Sequence, residues 1–205
     1  MKIQCGPDRD IRTLDLVLPS VSKIGVLVSG GIDSVLLYYL LLYCKYKNNS
    51  SHIIQPIIIQ RPADHHVTKL MVNKVNALFG YDLLPMRLGD LSLPAHQQVE
   101  SAVRQAFTIL GFEYMYLGII EVQPQHAVGI TVIKVPEILG IGYPLKNLTK
   151  RHIIDLYYKM GIQELLNYTN SCDQQNIELQ PCGMCNGCRE RDWGLSGHGN
   201  IINNL

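Results

Sequence analysis

A short glycine-containing segment near the N-terminus has the residue types of an anion-binding loop. Its members are consecutive: Val28, Ser29, Gly30, Gly31, Ile32, Asp33 and Ser34. Two adjacent glycines let backbone N–H groups approach an anion without a Cβ in the way, and both serine hydroxyls can donate hydrogen bonds to the same oxygens. The carboxylate of Asp33 is suited to hold Mg²⁺ or to position a bound group. The alternative without a binding function is a glycine turn followed by an ordinary Asp-Ser helix cap.

Four cysteines crowd into one segment near the C-terminus, with the spacing Cys172-x9-Cys182-x2-Cys185-x2-Cys188. Four thiolates are the number that tetrahedral Zn²⁺ needs in a closed structural site, and Gly183 and Gly187 would allow tight turns around one ion. An iron–sulfur cluster is the main alternative, and four free thiols are the third. We interpret the cluster as a zinc site that holds the C-terminal segment onto the domain.

Apolar patterning places the glycine segment between a strand and a helix. Residues 24–28 form a mostly β-branched run, and an apolar helical pattern begins at Ser34. The continuous apolar run at 53–59 is typical of a central parallel strand that is buried on both faces. Further helices are predicted over 63–79, 94–110 and 149–160, and further strands over 83–88 and 113–120.

This alternation of strands and helices predicts an α/β fold, a Rossmann-like doubly wound parallel sheet with right-handed crossovers. Ligands of such sheets lie beyond the C-terminal ends of the strands. The glycine segment and Gln60-Arg61 both fall at such ends, and the guanidinium of Arg61 suits a phosphate or a carboxylate. Residues 128–135 fit either a strand or a buried turn.

The size of the chain favours one main domain. A length of 205 residues with 47% hydrophobic content supports one well-buried core. We interpret residues 1–170 as a nucleotide-binding α/β domain in which 1–22 form an N-terminal extension. Residues 171–205 then form a small segment with the four cysteines.

The net charge and the hydropathy pattern indicate which kinds of partner and which cellular location to expect. The net charge is +1, and the Lys and Arg residues are scattered along the chain. This composition favours a small-molecule substrate over nucleic acid. The sequence does not exclude a local basic patch. The N-terminus lacks the apolar core of a signal peptide, and the most apolar stretch, 35–44, is too short to span a bilayer. We expect a cytoplasmic protein without a membrane segment.

The two segments together resemble a known enzyme family. Ser-Gly-Gly-x-Asp-Ser at 29–34 resembles the signature of the PP-loop ATP pyrophosphatases. Three segments resemble the 7-cyano-7-deazaguanine synthases within that class: Ser171-Cys172, the run from Cys182 to Arg191, and Pro144-Leu145 with Thr149-Lys150.

This resemblance implies an activity and assigns roles. Residues 28–34 with Gln60 and Arg61 would bind ATP and Mg²⁺, Asp33, Ser34 and Lys150 would be catalytic, and the four cysteines would bind Zn²⁺. In that family the carboxylate of 7-carboxy-7-deazaguanine is adenylated, ammonia displaces AMP to give an amide, and a second ATP leads to the nitrile. The resemblance also allows a homodimer.

Two substrate-side motifs of the family differ in this chain. Its Gly-x-Asn-x-x-Asp and Tyr-Pro-Asp-Cys stretches are replaced by the unrelated run 118–126, and its aromatic-Gly-Gln-Arg-His is reduced to Ile59-Gln60-Arg61-Pro62. Several alternatives therefore stay open. The chain could adenylate a different carboxylate, modify a macromolecule with a deazaguanine-like group, thiolate tRNA through an iron–sulfur centre, or bind nucleotide as a non-catalytic partner subunit.

Overall fold

A parallel sheet flanked by helices forms the centre of the protein in the computed structural model. The structure describes residues 1–7, 9–59, 65–90, 92–93, 95–122, 139–172 and 181–196. The strands are β1 Lys2–Cys5, β2 Arg12–Asp15, β3 Lys23–Leu27, β4 Ile53–Ile59, β5 Met86–Leu88, β6 Tyr114–Leu117 and β7 Ile141–Gly142. The helices are α1 Ile32–Lys47, α2 His65–Phe79, α3 Ala95–Thr108, α4 Lys150–Lys159 and α5 Asn186–Ser196, with a 3-10 helix at Gln163–Tyr168.

The main sheet confirms the predicted Rossmann-like topology. Its five strands are parallel, in the order β5-β4-β3-β6-β7. After β3, the chain adds β4 and then β5 on one side of β3. It then crosses back and adds β6 and β7 on the other side of β3. The C-terminal ends of β3 and β6 therefore border the topological switch point, where sheets of this kind bind ligands.

Each face of this sheet carries its own apolar core, as a doubly wound fold requires. Alternate residues of β3 point to opposite faces: Ile24 and Val26 pack with α1, α2 and α4, and Leu27 packs with the residues near α3. Helix α1 is buried on most of its surface, which explains why its sequence is apolar almost throughout rather than along one stripe.

The N-terminal extension is an integral part of the fold. Strands β1 and β2 pair as an antiparallel hairpin that packs on α4, with Cys5 and Leu14 fully buried. The amide of Gly6 donates to Asp155 Oδ2 at 2.8 Å, and Lys159 Nζ donates to the carbonyl of Gln4 at 2.9 Å. The hairpin therefore supports the helix that begins with Lys150.

Some predicted boundaries differ from the structure. The strand predicted at 83–88 covers only Met86–Leu88, because Pro85 cannot donate a backbone hydrogen bond to a neighbouring strand. Residues Asn186–Ser196 form α5. The sequence analysis predicted no helix in this segment. The stretch 128–135 lies outside the described residues. Within the described parts of the chain, no helix has the length and apolarity needed to cross a membrane.

Candidate functional site

The glycine loop lies at the switch point, directly after β3. The amide of Val28 still donates to the β4 carbonyl of Ile57 at 2.8 Å, so sheet pairing holds the start of the loop. Gly30 has a φ of 82°, and a Cβ there would lie 2.9 Å from Thr68 Oγ1 of α2. Both the backbone conformation and the close approach of α2 therefore require glycine at this position.

The two serines of the loop hold its shape. The amide of Ser29 donates to Ser34 Oγ at 3.0 Å, the two hydroxyl oxygens lie 3.0 Å apart, and Ser34 Oγ donates to the carbonyl of Gly31 at 3.2 Å. Helix α1 begins at Ile32 with Gly31 as its N-cap. The first amides of a helix lack intrahelical partners and lie at its positive end, where phosphate groups bind.

The loop that follows β6 packs against the N-terminal end of α1. A Cβ on Gly118 would lie 3.0 Å from the Cα and 3.1 Å from the amide nitrogen of Ser34. A larger residue at position 118 would therefore push the chain away from the first turn of α1. This glycine is part of the run in which the chain departs from the motifs of the resembling family.

Two further groups anchor the glycine loop from the C-terminal half of the chain. The amide of Asn170 donates to the carbonyl of Gly30 at 3.0 Å, and the buried hydroxyl of Tyr157 in α4 donates to the carbonyl of Ile32 at 2.8 Å. The loop is thus fixed by α2, by α4 and by the residues that precede Cys172.

Lys150 forms a buried ion-pair cluster with Asp33 and Glu190. Its Nζ lies 2.9 and 2.7 Å from the two carboxylate oxygens of Asp33 and 3.2 Å from Glu190 Oε2. The side chain of Lys150 is only 3% exposed. Burial alone would lower the pKa of Lys150, but the two carboxylates outweigh it and hold that pKa above its ordinary value. Lys150 is therefore a cation at neutral pH.

The four cysteines converge as the spacing predicted. Their Sγ atoms all lie within 4.8 Å of one another; Cys182 and Cys188 are 4.0 Å apart, and Cys172 and Cys185 are 3.9 Å apart. Sulfurs bound at about 2.3 Å in a zinc tetrahedron lie roughly 3.8 Å apart. The described geometry thus fits a single tetrahedral ion, whereas a [4Fe–4S] cluster binds each of its four thiolates through a different iron.

Backbone hydrogen bonds and burial shift the pKa values of two cysteines of the cluster in opposite directions. The amides of Met184 and Cys185 donate to Cys182 Sγ and lower the pKa of that thiol to about 6. Burial, with Cys185 nearby, raises the pKa of Cys188 to about 12. Gly183 has a φ of 71° and makes the predicted tight turn. The prediction of a similar turn at Gly187 was wrong, since that residue lies inside α5.

A cavity of about 300 Å³ opens between α2, the residues before Cys172 and α5. Its wall includes apolar side chains of α2, such as Leu70, and polar groups of Asn170 and Ser171. The same two residues face the glycine loop, because a Cβ on Gly31 would lie 3.5 Å from the Asn170 carbonyl oxygen and 3.8 Å from Ser171 Oγ. The cavity therefore lies beside the glycine loop.

The structure brings together most of the predicted site residues. The loop residues 28–34 and Lys150 share one site, and the four cysteines lie across α5 from it. Gln60 and Arg61 lie outside the described residues. Sequence reasoning did not assign Glu190, and its only signal was its position two residues after Cys188, in the first turns of the helix that carries the cluster.

The described fold is a doubly wound α/β sheet with a glycine loop at its switch point. The family model described as "Queuosine biosynthesis protein QueC" matches residues 122–199, the part of the chain that contains Lys150 and the four cysteines. The match covers less than half of the chain and does not include the glycine loop, so it is a similarity of the C-terminal part to that family. A search of curated proteins gives no match.

Two solved structures are similar in fold. One is the U34-tRNA thiolase NcsA from Methanococcus maripaludis with its [4Fe-4S] cluster, at 14% identity over 88% of this chain and 68% of that chain, with a TM-score of 0.47. The other is the NH3-dependent NAD synthetase from Campylobacter jejuni subsp. jejuni NCTC 11168 in complex with the nitrate ion, at 13% identity over 72% and 68%, with a TM-score of 0.45. Neither similarity bears on the substrate of this chain.

Proposed function

We propose that this protein is an ATP-dependent ligase that adenylates a carboxylate and lets ammonia displace AMP, as in 7-cyano-7-deazaguanine synthesis. The observation that carries the proposal is the glycine loop at the switch point, which leads into the N-terminus of α1 and lies beside a cavity lined by Asn170 and Ser171. The family match to residues 122–199 supports the same chemistry.

The proposed reaction assigns a task to each group. The amide of Gly30, the first amides of α1 and the hydroxyl of Ser29 bind the triphosphate, and Ser34 holds the loop in shape by accepting from the amide of Ser29. A substrate carboxylate oxygen attacks the α-phosphorus of ATP and pyrophosphate leaves. Ammonia then attacks the acyl carbon, AMP leaves and an amide forms. A second ATP activates the amide oxygen in the same way, and loss of AMP and protons gives the nitrile.

Asp33 and Lys150 are proposed to position the nucleotide rather than to contact the reacting carbon. Both carboxylate oxygens of Asp33 accept hydrogen bonds from Lys150, but an ionised carboxylate has about four lone-pair sites. Asp33 therefore retains acceptor capacity for Mg²⁺ or its water shell. The side chain of Asp33 is 22% exposed, which leaves it accessible from the loop.

The four cysteines are proposed to bind Zn²⁺ as a structural ion. Zinc has no redox chemistry and prefers four thiolates in a closed tetrahedron, and the sulfur separations fit one ion. The ion would tie the segment around Cys172 to the first turn of α5. Metal analysis tests this assignment directly: one zinc per chain supports it, whereas iron with acid-labile sulfide would favour a tRNA-thiolating enzyme.

The substrate test uses 7-carboxy-7-deazaguanine with ATP, Mg²⁺ and ammonium. The proposal predicts that the compound is consumed, that AMP and pyrophosphate form, and that the amide and nitrile appear in mass spectra. A reaction without ammonium should stop at the adenylate. Binding of ATP without turnover of this compound would reject the deazaguanine substrate and leave the PP-loop class intact.

A different carboxylate is the second candidate, because the run at 118–126 lacks the substrate-side motifs of the resembling family. Incubation with ATP and a metabolite extract, followed by mass spectrometry, would detect any compound that becomes adenylated. If no compound or macromolecule releases AMP, a nucleotide-binding partner subunit becomes the better interpretation.

A further inference from the structure

We infer that Glu190 is a positioning residue through which the metal site of the four cysteines and the nucleotide site of the glycine loop are energetically coupled. The route is the ion-pair cluster Glu190–Lys150–Asp33. The inference rests on the proposed function only in that the glycine loop must bind ATP. It predicts that metal and nucleotide each raise the affinity for the other.

The first step is geometric. Asp33 is in the first turn of α1, next to the glycine loop, and Glu190 is two residues after the cluster cysteine Cys188 in α5. Lys150 of α4 lies between them, with its Nζ 2.7 Å from Asp33 Oδ2 and 3.2 Å from Glu190 Oε2. One buried ammonium thus connects the end of the nucleotide loop to the helix that carries the metal ligands.

The second step concerns what holds α5 in place. This helix has 11 residues, of which Cys188 and Gly194 are buried. Helices this short are marginal without tertiary support. Gly194 packs so closely on the Lys150 stem that a Cβ would lie 2.6 Å from Lys150 Cγ, and the Arg151 guanidinium lies 4.5 Å from the Trp193 ring centroid. Arg191 also donates three hydrogen bonds, two to Thr169 and one to the carbonyl of Leu166. A metal bound by Cys185 and Cys188 would add a further constraint at the N-terminal end, near Glu190.

The third step is electrostatic. The ammonium of Lys150 has three N–H donors, and its contacts to the two Asp33 oxygens and to Glu190 use all three directions. If α5 loosens and Glu190 withdraws, a nearly buried donor loses its acceptor, and the ammonium must shift toward the remaining carboxylate. Asp33 would then shift with it, and the N-terminal turn of α1 that carries Asp33 would move as well.

The coupling also acts from the nucleotide site toward the metal site. Nucleotide binding that fixes Asp33 also fixes Lys150, which in turn holds Glu190 and the first turns of α5. By thermodynamic linkage, the factor by which metal strengthens nucleotide binding must equal the factor by which nucleotide strengthens metal binding. A coupling of about tenfold lies within the usual range for two sites connected in this way.

The test measures ATP binding by calorimetry, in the presence of Mg²⁺, to the zinc-loaded and the zinc-stripped chain. Glu190→Gln keeps the shape of the side chain but removes its charge. Asp192→Asn is the matched control, because Asp192 is an exposed carboxylate in the same helix. We expect zinc removal to weaken ATP binding about tenfold in the wild type and in D192N. Zinc-loaded E190Q should already bind weakly, and zinc removal should change its Kd less than twofold.

Competition with a zinc indicator provides the reciprocal measurement. Saturating ATP should raise the zinc affinity of the wild type by the same factor, and should leave that of E190Q unchanged. Comparison of the zinc-loaded variants avoids any unfolding caused by metal removal, and circular dichroism checks that E190Q is folded. An equal ATP affinity of loaded E190Q and loaded D192N would overturn the inference.

Two other outcomes separate this inference from the proposed function. If the wild type binds ATP equally well with and without zinc, the coupling is refuted and the nucleotide site stands. If the zinc-loaded wild type binds no ATP, the nucleotide site on which the inference rests is itself refuted.

Discussion

Lys150 is the residue on which the site depends most. It is nearly fully buried yet charged, and its neutralisation comes from two carboxylates on separate helices. A buried cation is tolerated only when its partners remain in place, because desolvation of a charge costs several kcal/mol. The same condition makes the site sensitive to the loss of any member of the cluster.

Replacing this lysine by an apolar residue of similar length tests that dependence. Lys150→Met would leave Asp33 and Glu190 close together without the cation that compensates them. We expect the free energy of unfolding in urea to fall by about 3 kcal/mol. Lys146→Met is the control, since Lys146 is exposed and its loss should change the stability by less than about 0.5 kcal/mol. Equal stability of the two variants would show that the cluster is not a buried ion-pair network in solution.

At the scale of elements, α4 connects the hairpin, the glycine loop and α5. His152 is fully buried at the contact between the hairpin and α4. Its Nδ1 accepts from the amide of Thr149 at 3.2 Å, and its Nε2 lies 2.8 Å from the carbonyl oxygen of Asp10. A neutral imidazole protonated on Nε2 satisfies both contacts.

This histidine predicts an acid-sensitive stability. Burial lowers the pKa of His152 below its ordinary 6.5, and it outweighs the nearby carboxylates of Asp10 and Asp155; Arg12 also lowers this pKa. The unfolded chain therefore binds a proton first, and the contribution of His152 is complete above about pH 6.5 and is lost as the pH falls below it.

Urea unfolding between about pH 7.5 and pH 5 measures this effect. His152→Gln, which cannot titrate, should show a flatter loss of stability toward acid than the wild type. Parallel curves for the two proteins would rule out His152 as a source of the pH dependence.

The packing of α5 on α4 makes a separate prediction at this scale. Gly194→Val would drive a side chain into the stem of Lys150, which its two carboxylates hold in place. We expect a loss of at least about 2 kcal/mol in the free energy of unfolding. Arg189→Val introduces the same side chain at an exposed position of α5 and should cost less than about 1 kcal/mol. A tolerated G194V would mean that α5 does not pack on Lys150 as described.

At the scale of the whole molecule, the sequence predicted the layers of the fold and the local motifs. The run at 53–59 matches β4 residue for residue, because a strand buried on both faces needs mostly apolar residues; the buried Gln55 donates its amide to the carbonyls of Pro56 and Leu84. The glycine loop between β3 and α1 and the four-cysteine cluster were also predictable, since each is set by residues near one another in the chain.

The contacts between distant segments could not be predicted in the same way. Lys150 and Asp33 lie 117 residues apart, and no periodicity relates them. The β1–β2 hairpin was missed because its short strands carry charged residues, of which Lys2 and Asp15 are exposed. Helix α5 was missed because it buries few residues and is rich in charge and glycine. In each case tertiary contacts supply the stability that the local sequence lacks.

The central claim is that the glycine loop binds ATP, and calorimetry of the zinc-loaded chain with ATP and Mg²⁺ tests it most directly. Ser29→Ala removes an exposed hydroxyl from the loop, and Ser20→Ala removes one from an exposed position before β3. We predict saturable binding at one site per chain, weakened roughly tenfold or more in S29A, as expected for a hydrogen bond to a charged group, and unchanged in S20A. No binding heat in the wild type, or equal affinity of S29A and S20A, would contradict the account.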